Sequence, residues 1–357
     1  MPPETSPETD QTPLVSVIIP AYNGAATIGE TIASVRSQTL TDWELMVVDD
    51  GSTDGTAAAV RAIAESTGDG RISVISIANG GVSAARNVGA ARSRGTYLSF
   101  IDADDLWTAD KLEAQVRILR SRPGAAVAYS WVDCVDGDGL TRVRRGGYSL
   151  GVGALQRKLT LIDTIESGSN VLVTRSAFEA VGGFDETLTH GEDWDLWLRL
   201  SARFAYAVVP APQVLYRQRP GSASANVWKM ERQSMGIIDR AIARLGDGST
   251  LAGPMPEGDR ADLKQRSVTN RYRILAFEAL DGPRSRRRTL TALRYFHQVL
   301  RRDRSLWRQP WRSRTIALLT KLALLILVPH RLSGGWLGRD RLKNAEDLLL
   351  WTIETQP

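Results

Sequence analysis

Residues 14–55 read LVSVIIPAYNGAATIGETIASVRSQTLTDWELMVVDDGSTDG, and this stretch decides the fold. It contains two short, β-branched apolar runs, LVSVIIP and WELMVV, which predict two strands. Between them Ile28, Ile32 and Val35 recur at helical spacing, which predicts a helix with one apolar face. The stretch therefore predicts a strand, a helix and a second strand, in that order.

The same alternation continues along the chain. The further predicted strands are 71–77, 96–101 and 125–132, and the further predicted helices start near Thr53 and cover 82–92. Strands that alternate with helices predict an α/β fold, in which a mostly parallel, Rossmann-like sheet is flanked by helices. In open sheets of this kind, ligands bind beside the carboxyl ends of the strands.

Three polar clusters follow predicted strands and are therefore expected to share one crevice. They are Pro20-Ala21-Tyr22-Asn23, Asp49-Asp50-Gly51-Ser52 and Asp102-Ala103-Asp104-Asp105. Asp50 can accept a hydrogen bond from a nucleotide base, and Tyr22 can stack on the ring of that base. By itself, the second cluster is better explained as a turn followed by a helix cap. The third cluster can also be explained by helix capping, with Asp105 or Thr108 as the cap residue.

Asp102 and Asp104 stand on a tight turn directly after an apolar strand. Mg²⁺ and Mn²⁺ are commonly held by one or two carboxylates together with phosphate oxygens. The turn therefore predicts a divalent cation bound to a diphosphate. The Asp-x-Asp pattern alone does not distinguish this role from helix capping.

Composition restricts the other classes of site. Cys134 is the only cysteine, which excludes an intramolecular disulfide, and the three histidines are too far apart in sequence to predict a zinc cluster. A reducing, cytoplasmic compartment is therefore expected. Residues 1–13 are acidic, rich in proline and threonine and without an apolar run, so they predict a disordered leader and no secretory signal.

The C-terminal part of the sequence is basic. Residues 225–357 show helical patterns without strand signals, and residues 281–340 carry 14 Lys and Arg against three acidic residues. No nucleic-acid partner is expected, because no docking motif or interleaved stacking aromatics accompany these charges. We expect residues 281–340 to contact a membrane surface peripherally. The apolar run 316–328 is shorter than the ~20 residues that cross a bilayer, so an interfacial helix and a buried helix stay as alternatives.

Residues 136–168 are rich in glycine and show no regular pattern, which predicts an irregular loop. Order returns with NVLVTR, residues 170–175, and with a predicted helix over 192–203. These elements complete a predicted domain of residues 14–224.

Four segments of the sequence follow one another in a specific order. They are VSVIIPAYNGAATIGETIASVRSQTLTDWELMVVDDGSTDGT, GGVSAARNVGA, GTYLSFIDADDLW and VGGFDETLTHGEDWDLWLRL. Together they resemble the family 2 glycosyltransferases of the GT-A fold. The resemblance covers residues 14–224 and implies a nucleotide-diphospho-sugar transferase domain with a helical C-terminal extension.

The resemblance also assigns residues of the donor site. The pocket for the nucleotide base is matched by Pro20, Tyr22 and Asp50, and Arg86 matches a basic residue near the base and phosphates. In the Asp-x-Asp motif, Asp102 matches the residue on the ribose and diphosphate side, and Asp104 matches the metal ligand. The implied cofactor is Mn²⁺ or Mg²⁺. The implied donor is a UDP-sugar, with GDP-sugars and dTDP-sugars as alternatives.

Asp193, in the segment HGEDW, matches the catalytic base of the family. An inverting enzyme needs such a base on the face of the sugar opposite the leaving nucleotide. Glu192 matches a neighbour that contacts the acceptor. From the residues alone, the better explanation of both carboxylates is a helix N-terminus, where the helix dipole favours negative charge.

The sequence departs from the family near the end of the predicted domain. Members often have Tyr-Arg-x-His, whereas this chain has Tyr216-Arg217-Gln218-Arg219. Arginine cannot ligate a metal but can bind a diphosphate through two hydrogen bonds, so Arg219 is a predicted diphosphate contact. The way in which metal coordination is completed stays open.

The expected reaction is transfer of a single sugar, with inversion, to a glycan or lipid-linked acceptor in cell-surface polysaccharide biosynthesis. The expected location is the cytoplasm or the inner face of the cytoplasmic membrane. Two alternatives stay open. A non-catalytic nucleotide-sugar-binding protein would not need both Asp104 and Asp193. A haloacid dehalogenase-like phosphatase would use the first Asp of FIDADD as nucleophile, but its later lysine and acidic pair are not found.

Overall fold

The computed structural model describes residues 12–137, 142–145, 155–218, 227–280 and 285–308. The chain divides into two compact units. The first comprises the chain up to Leu155 together with residues 164–218, and the second comprises residues 156–163 together with residues from 219 onward. The second unit therefore takes a short segment from the middle of the sequence.

The first unit is built on a nine-stranded sheet. Its strands are β1 (Val15–Ala21), β2 (Trp43–Asp49), β3 (Ile72–Ser76), β4 (Tyr97–Phe100), β5 (Leu106–Trp107), β6 (Ala125–Val135), β7 (Arg142–Arg145), β8 (Leu172–Thr174) and β9 (Ala205–Arg217). Its helices are α1 (Ile28–Arg36), α2 (Thr56–Thr67), α3 (Val82–Arg92), α4 (Lys111–Arg120), α6 (Arg175–Ala180) and α7 (Glu192–Arg203), while α5 (Gln156–Leu161) belongs to the second unit.

The strands follow the order β3-β2-β1-β4-β8-β6-β9-β5 across the sheet, with β7 paired to β6. All neighbours among β1 to β4 are parallel, and β6 is parallel to β9. The strands β5, β7 and β8 run antiparallel to their partners. The predicted α/β fold with a mostly parallel sheet is confirmed, and the antiparallel pairs come from strands that follow β4.

The first strands end at the same edge of the sheet. Ala21 of β1 pairs with Asp49 of β2, and Ile18 of β1 pairs with Phe100 of β4. The peptide N–H of Ile101 donates to the carbonyl oxygen of Ile18 at 3.1 Å, which continues this alignment. Because these strands are parallel, the polar clusters that follow them lie at one edge, as predicted.

β1 is buried along its whole length because helices cover both faces of the sheet at this point. Ile28 and Ile32 of α1 pack in the same apolar cluster as Val17 of β1. Ile18 points to the opposite face, since side chains alternate along a strand. A Cβ atom at Gly89 of α3 would collide with Cγ2 of Ile18, so glycine is what allows α3 to approach the sheet closely.

The sequence analysis did not predict β9, a strand of 13 residues. Pro210 and Pro212 lie within it, and proline is uncommon inside a sheet because it has no N–H to donate. Pro212 pairs with Trp131 of β6, and the register shifts on both sides of Trp131. These local irregularities accommodate the missing donor.

The described part of the second unit is helical. It contains α5, α8 (Val227–Gly246), α9 (Glu257–Leu280), α10 (Arg286–Arg302) and a 3₁₀ turn, Arg304–Trp307. Tyr295, Phe296 and Val299 of α10 pack with Leu275 of α9 in its apolar core. The predicted helical C-terminal extension is thereby confirmed.

Three sequence-based predictions need comment. The irregular loop predicted over 136–168 is wrong where β7 and α5 form. The apolar run 316–328 and nearly all of the leader predicted over 1–13 lie outside the described residues. Within the part of the chain that the structure describes, no helix is long and apolar enough to span a membrane.

Lys111, at the start of α4, is completely buried. Its Nζ atom donates to Oε1 of Gln115 at 3.0 Å and lies 3.9 Å from the centre of the Trp107 ring. Burial lowers the pKa of Lys111 well below the ordinary value of 10.5. The unfolded chain therefore holds this proton over a pH range in which the folded chain has lost it.

We expect Lys111→Met to stabilise the protein at neutral pH by about 1 kcal/mol, because methionine fills the space without the cost of burying or deprotonating an amine. As the pH rises toward 10.5, the unfolded chain also loses the proton, and the free energy of unfolding of the wild type therefore increases. The stability advantage of the variant should accordingly be smaller at about pH 10 than at neutral pH. Urea unfolding at the two pH values measures this. The control is the exposed Lys158→Met, and an equal advantage at both pH values would contradict the titration of Lys111.

Candidate functional site

The turn after β2 is held by Asp50, which is 4% exposed. Its two carboxylate oxygens accept hydrogen bonds from the peptide N–H groups of Gly80 and Gly81, at 2.7 and 2.9 Å. Gly81 is the residue before α3, so Asp50 attaches the turn to the start of that helix. Each oxygen keeps a second lone pair, and the role of Asp50 toward a nucleotide base stays a prediction.

The loop after β1 is bound to the same turn. The peptide N–H of Asn23 donates to Oγ of Ser52 at 2.9 Å, and the peptide N–H of Thr53 donates to Oδ1 of Asn23 at 2.9 Å. Pro20 is buried in β1, whereas the side chain of Tyr22 is 57% exposed. An exposed aromatic ring at this edge can stack on a planar ligand, which is the role predicted for Tyr22.

Arg86 joins two separate parts of the site. It projects from α3 and is 2% exposed. Its Nη2 donates to Oδ1 of Asp102 at 2.6 Å, and its Nη1 donates to Oε1 of Glu192 at 2.9 Å. Asp102 and Glu192 are 90 residues apart in sequence. One guanidinium therefore places the turn after β4 beside the start of α7.

Neighbouring carboxylates keep the buried guanidinium of Arg86 protonated. Burial by itself lowers the pKa of Arg86, but the negative charges of Asp102, Glu192 and Asp193 outweigh burial, and the pKa is raised. The ring of Phe184 lies 5.0 Å from the guanidinium carbon. The resemblance implies a position near the base and phosphates, and the structure adds the role of a buried bridge between carboxylates.

The aspartates after β4 do not cap the next helix. α4 begins at Lys111 with Asp110 as its cap residue. The helix-cap explanation of Asp105 and Thr108 is therefore wrong. The Asp-x-Asp segment is a turn of its own between β4 and β5.

Asp105 anchors this turn in the protein interior. It is completely buried, and its carboxylate accepts hydrogen bonds from the peptide N–H of Arg217 at 3.1 Å and from Oγ of Ser169 at 2.5 Å. Burial, followed by the charges of Asp102 and Asp104, raises the pKa of Asp105 well above its ordinary value. Burial and its charged neighbours thus favour the neutral form of Asp105, and the partly exposed carboxylates of this turn are those of Asp102 and Asp104.

The sequence analysis missed Arg217, at the end of β9. Its side chain is almost fully buried and donates to the carbonyl oxygens of Asp104 and Gly137, at 2.9 and 3.0 Å, and to the carboxylate of Glu30 at 2.5 Å. Arg217 therefore holds the backbone of the Asp-x-Asp turn. The sequence could have pointed to Arg217, because this residue is the arginine of the segment that resembles Tyr-Arg-x-His. Arg219 lies outside the described residues, and its role stays a prediction.

Glu192 and Asp193 are the first two residues of α7, which begins and ends as predicted. The residue before them is Gly191, which has a positive φ of 71° and no side chain to cap the helix. Oδ1 of Asp193 accepts a hydrogen bond from the peptide N–H of Trp194 at 2.7 Å. Both carboxylates lie in the first helical turn, where the helix dipole favours their negative charge.

Asp102 and Asp104 are the residues that could hold a divalent cation. The side chain of Asp102 is 30% exposed, and Asp104 is partly exposed. Carboxylate oxygens are hard ligands that suit Mg²⁺ and Mn²⁺. Within the described residues no group of three or more His, Cys, Asp or Glu side chains could hold a metal ion. The donor set fits a cation that is also bound by phosphate oxygens, as is usual for Mg²⁺.

A mostly parallel sheet with aspartate turns at its carboxyl edge has the layout of a ligand-binding α/β domain. Comparison with known families is more specific. The family described as Glycosyltransferase like family 2 matches residues 16–246, and the chain belongs to this family.

Curated relatives include enzymes of polysaccharide biosynthesis. The putative teichuronic acid biosynthesis glycosyltransferase TuaG of Bacillus subtilis is 32% identical over 243 residues, which cover 66% of this chain and 91% of TuaG. The UDP-Glc:alpha-D-GlcNAc-diphosphoundecaprenol beta-1,3-glucosyltransferase WfgD of Escherichia coli is 28% identical over 240 residues, which cover 65% of this chain and 89% of WfgD. Matches to uncharacterized glycosyltransferases of five Rickettsia species span only 27% to 58% of those proteins.

Solved structures of glycosyltransferases resemble the fold. Staphylococcus aureus TarS 1-349, in complex with UDP-GlcNAc, has a TM-score of 0.57 at 15% identity, over 86% of this chain and 92% of that one. Mannosyltransferase PcManGT from Pyrobaculum calidifontis, in complex with GDP-Man and Mn²⁺, has a TM-score of 0.52 at 22% identity, over 92% and 90% of the two chains. At these identities the likeness concerns the fold alone, and it confirms the GT-A fold.

Proposed function

We propose that the protein is an inverting glycosyltransferase that moves a sugar from a nucleotide-diphospho-sugar to a hydroxyl group of a glycan or lipid-linked acceptor. One observation carries this proposal. Arg86 binds Asp102 of the donor-side turn and Glu192 beside Asp193, so the two halves of a transfer site share one buried cation. A module that only binds nucleotide-sugars has no need for the second half.

The reaction is a single displacement. The oxygen of the acceptor hydroxyl forms a bond to the anomeric carbon from the face opposite the nucleotide, while the bond between that carbon and the diphosphate oxygen breaks. The nucleoside diphosphate leaves with the electron pair, and the carboxylate of Asp193 accepts the proton of the hydroxyl. Glu192 contacts the acceptor and is held in place by Arg86.

Asp104, assisted by Asp102, would hold Mn²⁺ or Mg²⁺. The cation supplies positive charge that neutralises the leaving diphosphate. The partly exposed carboxylates of Asp102 and Asp104, two residues apart on one turn, support the assignment. Arg217 keeps the turn in position through the carbonyl oxygen of Asp104. The Mn²⁺ complex of PcManGT is consistent with a divalent cation in this fold.

The nucleotide base is proposed to bind at the edge formed by Pro20, Tyr22 and Asp50, with the ring of Tyr22 stacked on the base. A UDP-sugar is the favoured donor, since WfgD is named for UDP-Glc and TarS was crystallised with UDP-GlcNAc. GDP-sugars and dTDP-sugars stay as alternatives. Arg219 is the proposed diphosphate contact in place of the family's histidine.

The acceptor is proposed to be part of a surface polysaccharide, and the reaction to occur in the cytoplasm or at the inner face of the cytoplasmic membrane. TuaG is named for teichuronic acid biosynthesis, and WfgD is named for an acceptor attached to diphosphoundecaprenol. By its name, WfgD also forms a β-linkage from UDP-Glc, which fits inversion.

The phosphatase alternative finds no support, because the first Asp of the turn is paired with Arg86.

The proposal is tested with the full chain and a panel of UDP-, GDP- and dTDP-sugars. Thermal-shift measurements with Mn²⁺ and with EDTA identify the donor that binds. Slow hydrolysis of that donor, followed by proton NMR, then reports the configuration of the released sugar. We expect the β-anomer as the first product of an α-linked donor. A first product with retained configuration excludes the single displacement, and donor binding without any turnover would favour the non-catalytic alternative.

Gly168 offers a test of the Arg86 bridge. A Cβ atom at Gly168 would lie 2.7 Å from Nη2 of Arg86, a contact too short to be tolerated unless the guanidinium moves. We expect Gly168→Ala to displace the guanidinium from Asp102 and Glu192 and to lower sugar transfer by about tenfold or more, since small displacements in a site are costly. Steady-state kinetics measure the loss. Gly124→Ala is the matched control, because a Cβ atom there meets nothing within 4 Å.

A further inference from the structure

Helix α10 of the second unit carries a one-sided positive charge. Between Arg286 and Arg302 it has six arginines and no acidic residue. Its inner face packs on the helical core through Tyr295, Phe296 and Val299. Its outer face exposes a stripe at a spacing of three or four residues, formed by Arg287, Leu290, Arg294, His297 and Arg301. The stripe is about 21 Å long, from the helical rise per residue.

Large apolar side chains are exposed among these arginines. Trp228 of α8 is 43% exposed, and Leu290 of α10 is 49% exposed. Both line an open depression of about 590 Å³, together with Arg286, Arg287 and Arg294. The guanidinium carbon of Arg294 lies 4.3 Å from the centre of the Trp228 ring. Tryptophan beside arginine is the combination that favours the boundary between lipid headgroups and acyl chains.

Within the described residues of the unit, the arginines of this face have no ion-pair partner. Among the ion pairs between described residues, none involves Arg286, Arg287, Arg294 or Arg301. The acidic group nearest in sequence, Asp303, is paired with Arg273 on the inner side. The outer face therefore presents positive charge to whatever covers it.

A second depression, of about 750 Å³, extends the basic surface at the other end of α10. It is lined by Arg301, Arg302 and Arg304, and also by Lys264 of α9, which is paired with Asp239. Positive charge thus runs along the whole helix, whereas the exposed tryptophan and leucine lie at its first half. A nucleic acid would contact the arginines and leave Trp228 and Leu290 exposed to water. A bilayer surface would contact the arginines through lipid phosphates and would also bury Trp228 and Leu290 among acyl chains, so a bilayer is the better fit.

We propose that this face, defined by the α10 stripe and Trp228, binds the surface of a bilayer that contains anionic phospholipids. The arginines bind lipid phosphates, and Trp228 and Leu290 enter the interfacial region. The proposal concerns described residues of α8 and α10 and is separate from the apolar run 316–328. It goes beyond the proposed transfer reaction and does not depend on it.

Vesicle flotation with the full chain tests the proposal. The vesicles are phosphatidylcholine alone and phosphatidylcholine mixed with phosphatidylglycerol. We expect the chain to float only with the anionic vesicles. Each arginine removed from the surface should weaken partitioning about fivefold, so Arg287→Gln combined with Arg294→Gln should weaken it about 25-fold. Leu290→Ser, at an exposed position, should weaken it without a change in net charge.

The matched control is Arg61→Gln combined with Arg120→Gln, which removes the same charge from exposed positions of the first unit. It should float as the wild type does. The proposal is overturned if the α10 double variant floats as the wild type, if the control loses as much, or if duplex DNA competes with the anionic vesicles on equal terms. Circular dichroism of each variant shows whether a loss of vesicle binding comes from unfolding. If the double arginine variant is unfolded, Leu290→Ser tests the proposal instead, and flotation of this variant as strong as that of the wild type overturns it.

Discussion

Asp193→Asn is expected to lower the rate of sugar transfer by about 10²- to 10⁴-fold, which is the usual contribution of a general base. Asparagine cannot accept the proton of the acceptor hydroxyl, but its Oδ1 can still accept the hydrogen bond from the peptide N–H of Trp194. The ion pair of Arg86 with Glu192 is not altered either. The start of α7 should therefore keep its structure while the chemistry is lost.

The measurement separates binding from turnover. Calorimetry of the Asp193→Asn variant with its donor should give a Kd within about twofold of the wild type, since the proposed base is expected on the face of the sugar opposite the nucleotide. Single-turnover kinetics should show the full loss. Glu179→Gln, which removes an exposed carboxylate from α6, is the control and should transfer normally. Near-normal transfer by Asp193→Asn would assign the base to another residue.

Asp104→Ala should abolish donor turnover together with the response to Mn²⁺. A cation on the diphosphate contributes several kcal/mol to the departure of the leaving group, so we expect a loss of about 10³-fold or more. The fold should persist, because the carbonyl oxygen of Asp104 that Arg217 binds is retained in the alanine variant. The anchoring carboxylate of Asp105 is also retained.

Donor binding at increasing Mn²⁺ concentration checks this prediction. The affinity of the wild type should rise with Mn²⁺, whereas that of Asp104→Ala should not respond. Glu65→Ala, at an exposed position of α2, removes a carboxylate of the same charge and should behave as the wild type. If Asp104→Ala still responds to Mn²⁺, the cation is held elsewhere in the chain. If the wild type turns over its donor equally well in EDTA, the metal assignment is wrong while the family assignment is unaffected.

Much of the first unit was predictable from local patterns. The strands around Ile18 and Val47 and the helices over 82–92 and 192–203 were correctly predicted. Apolar periodicity reports which face of an element is buried, and that is a property of neighbouring residues in the chain. The edge that carries Asp50 and Asp102 followed from the parallel order of the strands. β9 was missed because its two prolines break the expected pattern, and only the shifted pairing with β6 makes room for them.

The sequence by itself determined the strands β1 to β4, the helices between them and α7, and it placed carboxylates at the carboxyl ends of β2 and β4. It did not distinguish the helix-cap and ligand-binding explanations of the Asp-x-Asp turn, because both use the same residue types at the same spacing. The tertiary structure removed the helix-cap explanation by placing the start of α4 at Lys111, while the ligand-binding role stays a prediction. It also brought Asp102 and Glu192 onto Arg86. Those contacts depend on how α3 and α7 pack on the sheet, and no local pattern encodes packing between residues so far apart in the chain.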